Sequence, residues 1–251
     1  SSVNVAECGL KITFLFFNNG LSFSTGSFEK TSNAAPNIIP SFNAFSKSIF
    51  QYDHEVRAGN FKNNSNKIQT FELLNKNILI AGFGRIGKKL INRCLAFDTK
   101  VYVYDPYVDD DIIKQFGGIK VDNIEEGLRI ADYISLHMPL TKETSNLINY
   151  SVLKKMKKNS IIVNTARGGI INELDLEKAL NESIIFGAAL DVFSKEPVEK
   201  DNPLLKNRKV ILSPHSATFT DECTSRMGIE TTKNIIEFFE NKLDKSKIVK
   251  L

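Results

Sequence analysis

Residues 78–90 read ILIAGFGRIGKKL. A short apolar run ends in glycine, and Gly82, Gly84 and Gly87 follow in G-x-G-x-x-G spacing ahead of a segment with helical periodicity. In the order strand, turn, helix, each glycine has its own task. The first permits a tight turn, the second lets backbone approach a pyrophosphate, and the third allows close packing of helix on strand, with the phosphate seated on amides at the helix N-terminus. Asp105 closes the next apolar run, KVYVYD (100–105). A carboxylate there accepts both hydroxyls of an adenine ribose and repels a 2′-phosphate, so the expected cofactor is NAD rather than NADP.

Outward from this unit, short apolar runs continue at 131–137, 159–165, 184–192 and 208–213. They are β-branched or aromatic and almost continuously hydrophobic, as strands covered on both faces are. Between them RIGKKLINRCLAF, NIEEGLRIA, TSNLINYSVLKKM and NELDLEKALNE carry apolar residues at spacings of three and four. Strict alternation predicts an α/β fold, a doubly wound parallel sheet of Rossmann type over residues 70–219. From Thr220 the chain reads as one long amphipathic helix and a tail, residues 220–251.

The first 69 residues differ. Residues 18–46 are rich in Asn, Ser, Gly, Pro and Phe, nearly uncharged and without either period, which predicts a loop or a mobile stretch, with the protease-resistant core starting near residue 50. Two helical fragments flank it, VNVAECGLKITFLFF and FSKSIFQYDHEVRAGNF. The formal charge of +4 arises from 33 basic and 29 acidic residues scattered over solvated faces, with no arginine-rich block, so nucleic acid is not an expected partner. The apolar stretch ITFLFF is too short to span a bilayer, and three widely separated cysteines suggest reduced thiols, so a soluble cytoplasmic protein is expected, with no metal site.

Three successive strand ends carry chemistry. IVNTARGG ends a strand in Asn164, Thr165, Ala166 and Arg167, ALDVFSKEP places Asp191 at the next tip with Glu196 just beyond, and SPHSAT places His215 at the third. A lone histidine beside an apolar strand is ordinarily a hydrogen-bonded structural residue; its neighbours argue otherwise here. Ligands of parallel sheets gather at the carboxyl ends of strands. An arginine there can clamp a carboxylate with two parallel hydrogen bonds. An imidazole can exchange a proton with a reacting oxygen, and Glu196 on the far ring nitrogen would fix its tautomer and favour its protonated form. The set suits hydride transfer to a 2-oxo acid.

GFGRIGKKL, VYDPYVD, LHMPLTKETSNLIN, VNTARGGIINE, GAALDVFSKEP and SPHSATFTDEC, in this order, resemble the D-isomer-specific 2-hydroxyacid dehydrogenases, most closely the D-3-phosphoglycerate dehydrogenase branch, over about residues 55–240. The resemblance implies that Gly82, Gly84, Arg85, Ile86 and Gly87 meet the pyrophosphate and Asp105 the ribose. It implies that Thr165, Ala166 and Arg167 border the nicotinamide, Asp191 its carboxamide, with His215 and Thr218 beside the cofactor. It makes Arg167, Glu196 and His215 the catalytic set, a small 2-hydroxy or 2-oxo acid the substrate, and a homodimer the assembly. Asn172 stands where the family usually has Asp, a mild departure, and Thr218 takes a place beside the cofactor often held by a smaller residue. VNVAEC resembles the family's interdomain helix and DHEVRAGNF its continuation. The chain therefore reads as N-terminally incomplete, with only a remnant of the substrate domain and an insertion or frame-disrupted stretch between those two segments.

Overall fold

The computed structural model describes residues 34–61 and 68–244, and these divide between Phe219 and Thr220 into two compact units. The larger begins with helices α1 (Ala34–Ser46) and α2 (Ile49–Arg57). It continues through β1 (Asn77–Ala81), α3 (Arg85–Leu95), β2 (Lys100–Tyr104), α4 (Asp110–Gln115), β3 (Ile119–Lys120) and α5 (Ile124–Ile130). Then follow β4 (Tyr133–Leu136), α6 (Tyr150–Leu153), β5 (Ile161–Asn164), α7 (Glu173–Asn181), β6 (Gly187–Leu190) and β7 (Val210–Leu212). All six strand pairings are parallel, in the order β3-β2-β1-β4-β5-β6-β7.

The continuous apolar runs are explained by burial on both faces. Alternate residues of one strand enter different cores: Leu79, Ala81, Ile134, Ile162 and Leu190 pack with residues of α5, α6 and α7. Ile78, Ile80, Val101, Tyr133 and Val163 pack with α1 and α3 on the other side. The chain steps outward from β1 to β3 and then returns to lay β4 against β1, so a crevice opens between the tips of β1 and β4, where doubly wound sheets hold ligands.

Part of the predicted loop is helical. Residues 34–46 form α1, in which Ile38 and Phe42 are fully buried and Ile39 and Phe45 nearly so. Their spacing is a helical stripe that the uncharged polar surroundings concealed. The Phe42 ring lies 5.1 Å from that of Tyr133, and the buried Ser46 Oγ sits 2.6 Å from the Tyr133 hydroxyl. Pro40 lies inside α1 on its exposed side. Proline in a helix interior costs about 3 kcal/mol, which the burial of Ile38, Phe42 and Phe45, at roughly 1.5–3 kcal/mol each, offsets. The compact core thus reaches back to Ile38 rather than starting near residue 50. The rest of the predicted loop, 18–33, and the fragment VNVAECGLKITFLFF lie outside the described residues.

TSNLINYSVLKKM yields only the short α6, because Ile148 pairs with Ile171 in an isolated bridge and Asn149 restarts the chain as a cap, its Oδ1 accepting from the Val152 amide at 3.2 Å. The two-residue β3 and helix α4 went unanticipated. In the second unit, helix α8 (Asp221–Phe239) is capped by Thr220, whose Oγ1 accepts from the Cys223 amide at 3.1 Å.

Phe42→Ala is expected to lower the unfolding free energy by about 3–5 kcal/mol. Chemical denaturation of wild type and variant measures this; a loss below 1 kcal/mol would mean that α1 is not part of the cooperative core.

Candidate functional site

Gly82 takes φ +102, and a Cβ there would lie 2.7 Å from the carbonyl carbon and oxygen of His137, at the tip of β4. Only glycine lets the turn after β1 press against the neighbouring tip. A Cβ on Gly87 would meet the Gly82 carbonyl oxygen at 2.4 Å, so α3 leaves the sheet at closest approach. Gly84 is the opposite case. None of the described residues lies within 4 Å of its missing side chain, and as the residue before α3 it offers the helix no side-chain cap. The positive end of the α3 dipole, at Arg85 and Ile86, faces that open space, which is an anion seat. The Asp105 carboxylate, just past β2, accepts from the Phe83 amide at 2.7 Å and the Tyr107 amide at 2.9 Å. It thereby ties the glycine turn to the end of β2, and no basic side chain stands among Pro106, Tyr107 and Val108.

Beyond β5, the buried Asn164 holds the next turn: its Oδ1 accepts from the Ala166 amide at 3.0 Å and its Nδ2 donates to the Arg167 carbonyl at 2.9 Å. Thr165 Oγ1 is buried and has no hydrogen-bond partner among the described residues. Such an orphaned hydroxyl at a strand tip is a group awaiting a ligand. Arg167 is exposed, with Nη1 on the Ala166 carbonyl at 2.6 Å. A Cβ on Gly168 would fall 1.8 Å from the Phe193 carbonyl oxygen, so this loop touches the loop after β6 backbone to backbone. Asn172, the family departure, caps α7 by accepting from the Asp175 amide at 3.1 Å.

The last two tips form one hydrogen-bonded assembly. Glu196 accepts from the Phe193 amide at 2.9 Å through Oε1 and meets His215 Nδ1 at 2.8 Å through Oε2. The hydrogen bond from His215, the Phe193 amide and the charges of His215 and Arg167 together hold the Glu196 carboxyl below its usual value. His215 itself lies in the left-handed region, φ +52. Asp191 is almost fully buried and takes three donors on its carboxylate, Ser213 Oγ at 2.6 Å and the amides of Ser216 and Ala217 at 2.8 and 2.9 Å. Thr218 follows, half-buried. Arg167, Asp191, Glu196 and His215 thus sit on adjacent tips, as the sequence reading expected of them. A cavity of about 700 Å³ lined by Phe45, Gln51, Arg208 and Ile211 lies instead at the amino ends of the strands and includes none of these groups.

Sequence reasoning overlooked His137. It stands at the switch point, its Nε2 2.8 Å from the buried Ser135 Oγ, and burial lowers its pKa to about 4. The signal was present in LHMPL directly after the β4 run, but one imidazole among strand-end residues has no distinguishing spacing. Asn164 and Gly168 were likewise visible only as strand-end and turn residues. Neutral at physiological pH, His137 adds no charge to the crevice.

A glycine turn at a topological switch point, an open anion seat at a helix N-terminus and a carboxylate on the second strand define a dinucleotide-binding domain, and an orphaned threonine hydroxyl beside the crevice fits the same ligand. Residues 41–217 match the D-isomer specific 2-hydroxyacid dehydrogenase, NAD binding domain, and the chain belongs to that family. Its members are NAD-dependent dehydrogenases acting on CH–OH groups. The chain is 41% identical over 177 residues to a D-3-phosphoglycerate dehydrogenase of Methanocaldococcus jannaschii, covering 70% of this chain and 34% of that protein. It is 36% identical over 197 residues to a glyoxylate reductase of Korarchaeum cryptofilum, covering 78% and 59%. A D-lactate dehydrogenase from Aquifex aeolicus, solved with NAD and lactic acid, superposes with a TM-score of 0.79 at 29% identity, covering 88% of this chain and 71% of that one. The chain spans between about a third and three-fifths of the length of the curated relatives it matches. No helix among the described residues is long and apolar enough to cross a membrane.

Because His137 stays neutral in the fold down to about pH 4 while an unfolded histidine protonates near 6.5, the unfolded chain takes up the proton first and stability falls with pH across that window. Between pH 7 and 5 the loss from this residue is about 2 kcal/mol. Urea unfolding at both pH values is expected to show that loss in wild type and not in His137→Gln; equal pH dependence in the two proteins would refute it.

Proposed function

We propose that this chain carries the cofactor-binding and proton-transfer half of an NAD-dependent dehydrogenase that interconverts a D-2-hydroxy acid and its 2-oxo acid. The substrate pair we infer is 3-phosphoglycerate and phosphohydroxypyruvate, at the entry to serine biosynthesis. The observation that carries the reading is the 2.8 Å contact between His215 Nδ1 and Glu196 on the same edge of the sheet as Arg167.

Bound NAD supplies or takes the hydride at C2 of the acid. With Nδ1 engaged by Glu196, the ring nitrogen His215 has left for a reacting oxygen is Nε2, which gives a proton to the carbonyl oxygen during reduction and takes it from the hydroxyl during oxidation. Arg167 would leave its contact on the Ala166 carbonyl to hold the substrate carboxylate with two parallel hydrogen bonds and polarise the adjacent carbonyl. Gly82, Gly84, Arg85, Ile86 and Gly87 would seat the pyrophosphate and Asp105 the ribose. Thr165, Ala166 and Thr218 would border the nicotinamide, with Asp191 on its carboxamide. We also infer a cytoplasmic homodimer. Exposed Ile49, Phe50, Val56 and Phe61 on and after α2 support the second of these, the homodimer. Reduction of glyoxylate is a second reading, favoured by the 36% identity over 197 residues to a glyoxylate reductase.

NADH oxidation with phosphohydroxypyruvate, glyoxylate and pyruvate separates the readings through kcat/KM. His215→Ala is expected to lower turnover on the preferred acid by on the order of 100-fold. Turnover undiminished in His215→Ala would remove the proton-transfer assignment. Asp105→Ala is expected to weaken NAD by about 1.5–3 kcal/mol and narrow its advantage over NADP, measured by calorimetry; wild type binding both nucleotides equally would contradict the ribose assignment.

A further inference from the structure

We propose that the cavity at the amino ends of β5, β6 and β7 binds a small amphipathic anion, a molecule with an apolar body and a carboxylate or phosphate at one end. The cavity lies on the edge of the sheet opposite the cofactor crevice and shares no residue with the groups assigned to NAD or to the reacting acid.

Its walls are fastened independently of one another. On one side stand the end of α1 and the corner into α2, tied down where Ser48 Oγ donates to the Gln69 carbonyl at 2.8 Å and the Phe71 amide to the Ser46 carbonyl at 2.6 Å. Phe45 from α1 lies against the start of β6, where a Cβ on Gly187 would meet its ring at 2.6 Å. On the other side stand Phe186, held edge-on by Phe71 with ring centroids 4.9 Å apart, and β7. β7 is the edge strand, and its three residues, Val210, Ile211 and Leu212, all stay partly exposed along the cavity. Apolar surface left open in this way is what an apolar body covers with a gain in free energy. The volume of about 700 Å³ is that of a small-molecule site.

Charge decides the other end of the ligand. Lys158, Arg208 and Lys209 line the cavity and no carboxylate does. Lys209 already serves the fold, its Nζ donating to the Leu180 carbonyl at 2.7 Å and to Ser183 Oγ at 2.8 Å. Lys158 and Arg208 are exposed, and their side chains have no partner among the described residues. Asp132, before β4 on the same edge, does not neutralise them, because its carboxylate is held by Lys157 Nζ at 2.8 Å and by the Asn77 amide at 2.9 Å. Like charges around one opening repel, and an anion seated between them relieves the repulsion. The guanidinium fork of Arg208 matches the paired oxygens of a carboxylate or phosphate. Ile185 and Phe45 are buried whereas the two cations are exposed, so the apolar body points inward and the anionic head stays at the rim.

The test is calorimetric titration of the 251-residue chain with decanoate and decyl phosphate, against decanol and inorganic phosphate, with and without saturating NAD. One decanoate or decyl phosphate is expected to bind per chain, with decanol and inorganic phosphate at least about tenfold weaker, since each lacks either the charged head or the body. Saturating NAD is expected to leave that affinity unchanged. Lys158→Gln and Arg208→Gln should each weaken the anion by about three- to fivefold, the scale of an exposed charge pair. Ala44→Trp, which fills the cavity from α1 and removes no charge, should abolish binding while NAD affinity stays as in wild type. Thermal transitions check that each variant folds, and should Ala44→Trp not fold, the two charge variants decide. The proposal falls if neither anion binds, if decanol binds as tightly as decanoate, if NAD displaces the anion, or if both charge variants bind it as wild type does. Absence of binding together with dissociation of an assembled chain by Arg208→Glu, read by light scattering, would make this face an interface between copies instead.

Discussion

Parallel strands cannot follow one another directly; after each strand the chain must cross back over a face of the sheet before the next begins. That obligation brings every strand's carboxyl end to one edge. The glycine turn, Asp105, Arg167 and His215 are scattered over more than half of the sequence, and the crossovers are what assemble them. The apolar runs that make the strands therefore also determine where chemistry can occur, before any polar residue is chosen.

Within that frame the tips are fastened by backbone contacts and by carboxylates and carboxamides that grip amides. Asp105 grips the amides of Phe83 and Tyr107, Asn164 the amide of Ala166 and the carbonyl of Arg167, Asp191 the amides of Ser216 and Ala217, and Glu196 that of Phe193. Each lies at or just past a strand end. The polar residues at the edge thus brace the fold, and Glu196 braces two things at once, one oxygen on the Phe193 amide and the other on the His215 imidazole.

The strands and most of their helices could be read from the sequence because two-face burial writes an unbroken apolar run, and a helix on a sheet writes a three-four period. The site was legible for the same reason, since a residue at the end of such a run must lie at the ligand edge. Helix α1 was not, because its stripe of Ile38, Phe42 and Phe45 is interrupted by asparagine, serine and an internal proline; docking on Tyr133 and α3 makes it a helix, and docking is invisible to local pattern. His137 escaped for a related reason. Its environment comes from Gly82 and Ser135 closing around it, not from anything in LHMPL.

A Cβ on residue 168 would stand 1.8 Å from the Phe193 carbonyl oxygen, so the loop bearing Arg167 and the loop bearing Glu196 share a single van der Waals surface. The obstacle at 168 is main chain, not side chain. No substitution across 192–196 can make room there, so glycine is the one residue that keeps the guanidinium loop at its distance from the carboxylate loop.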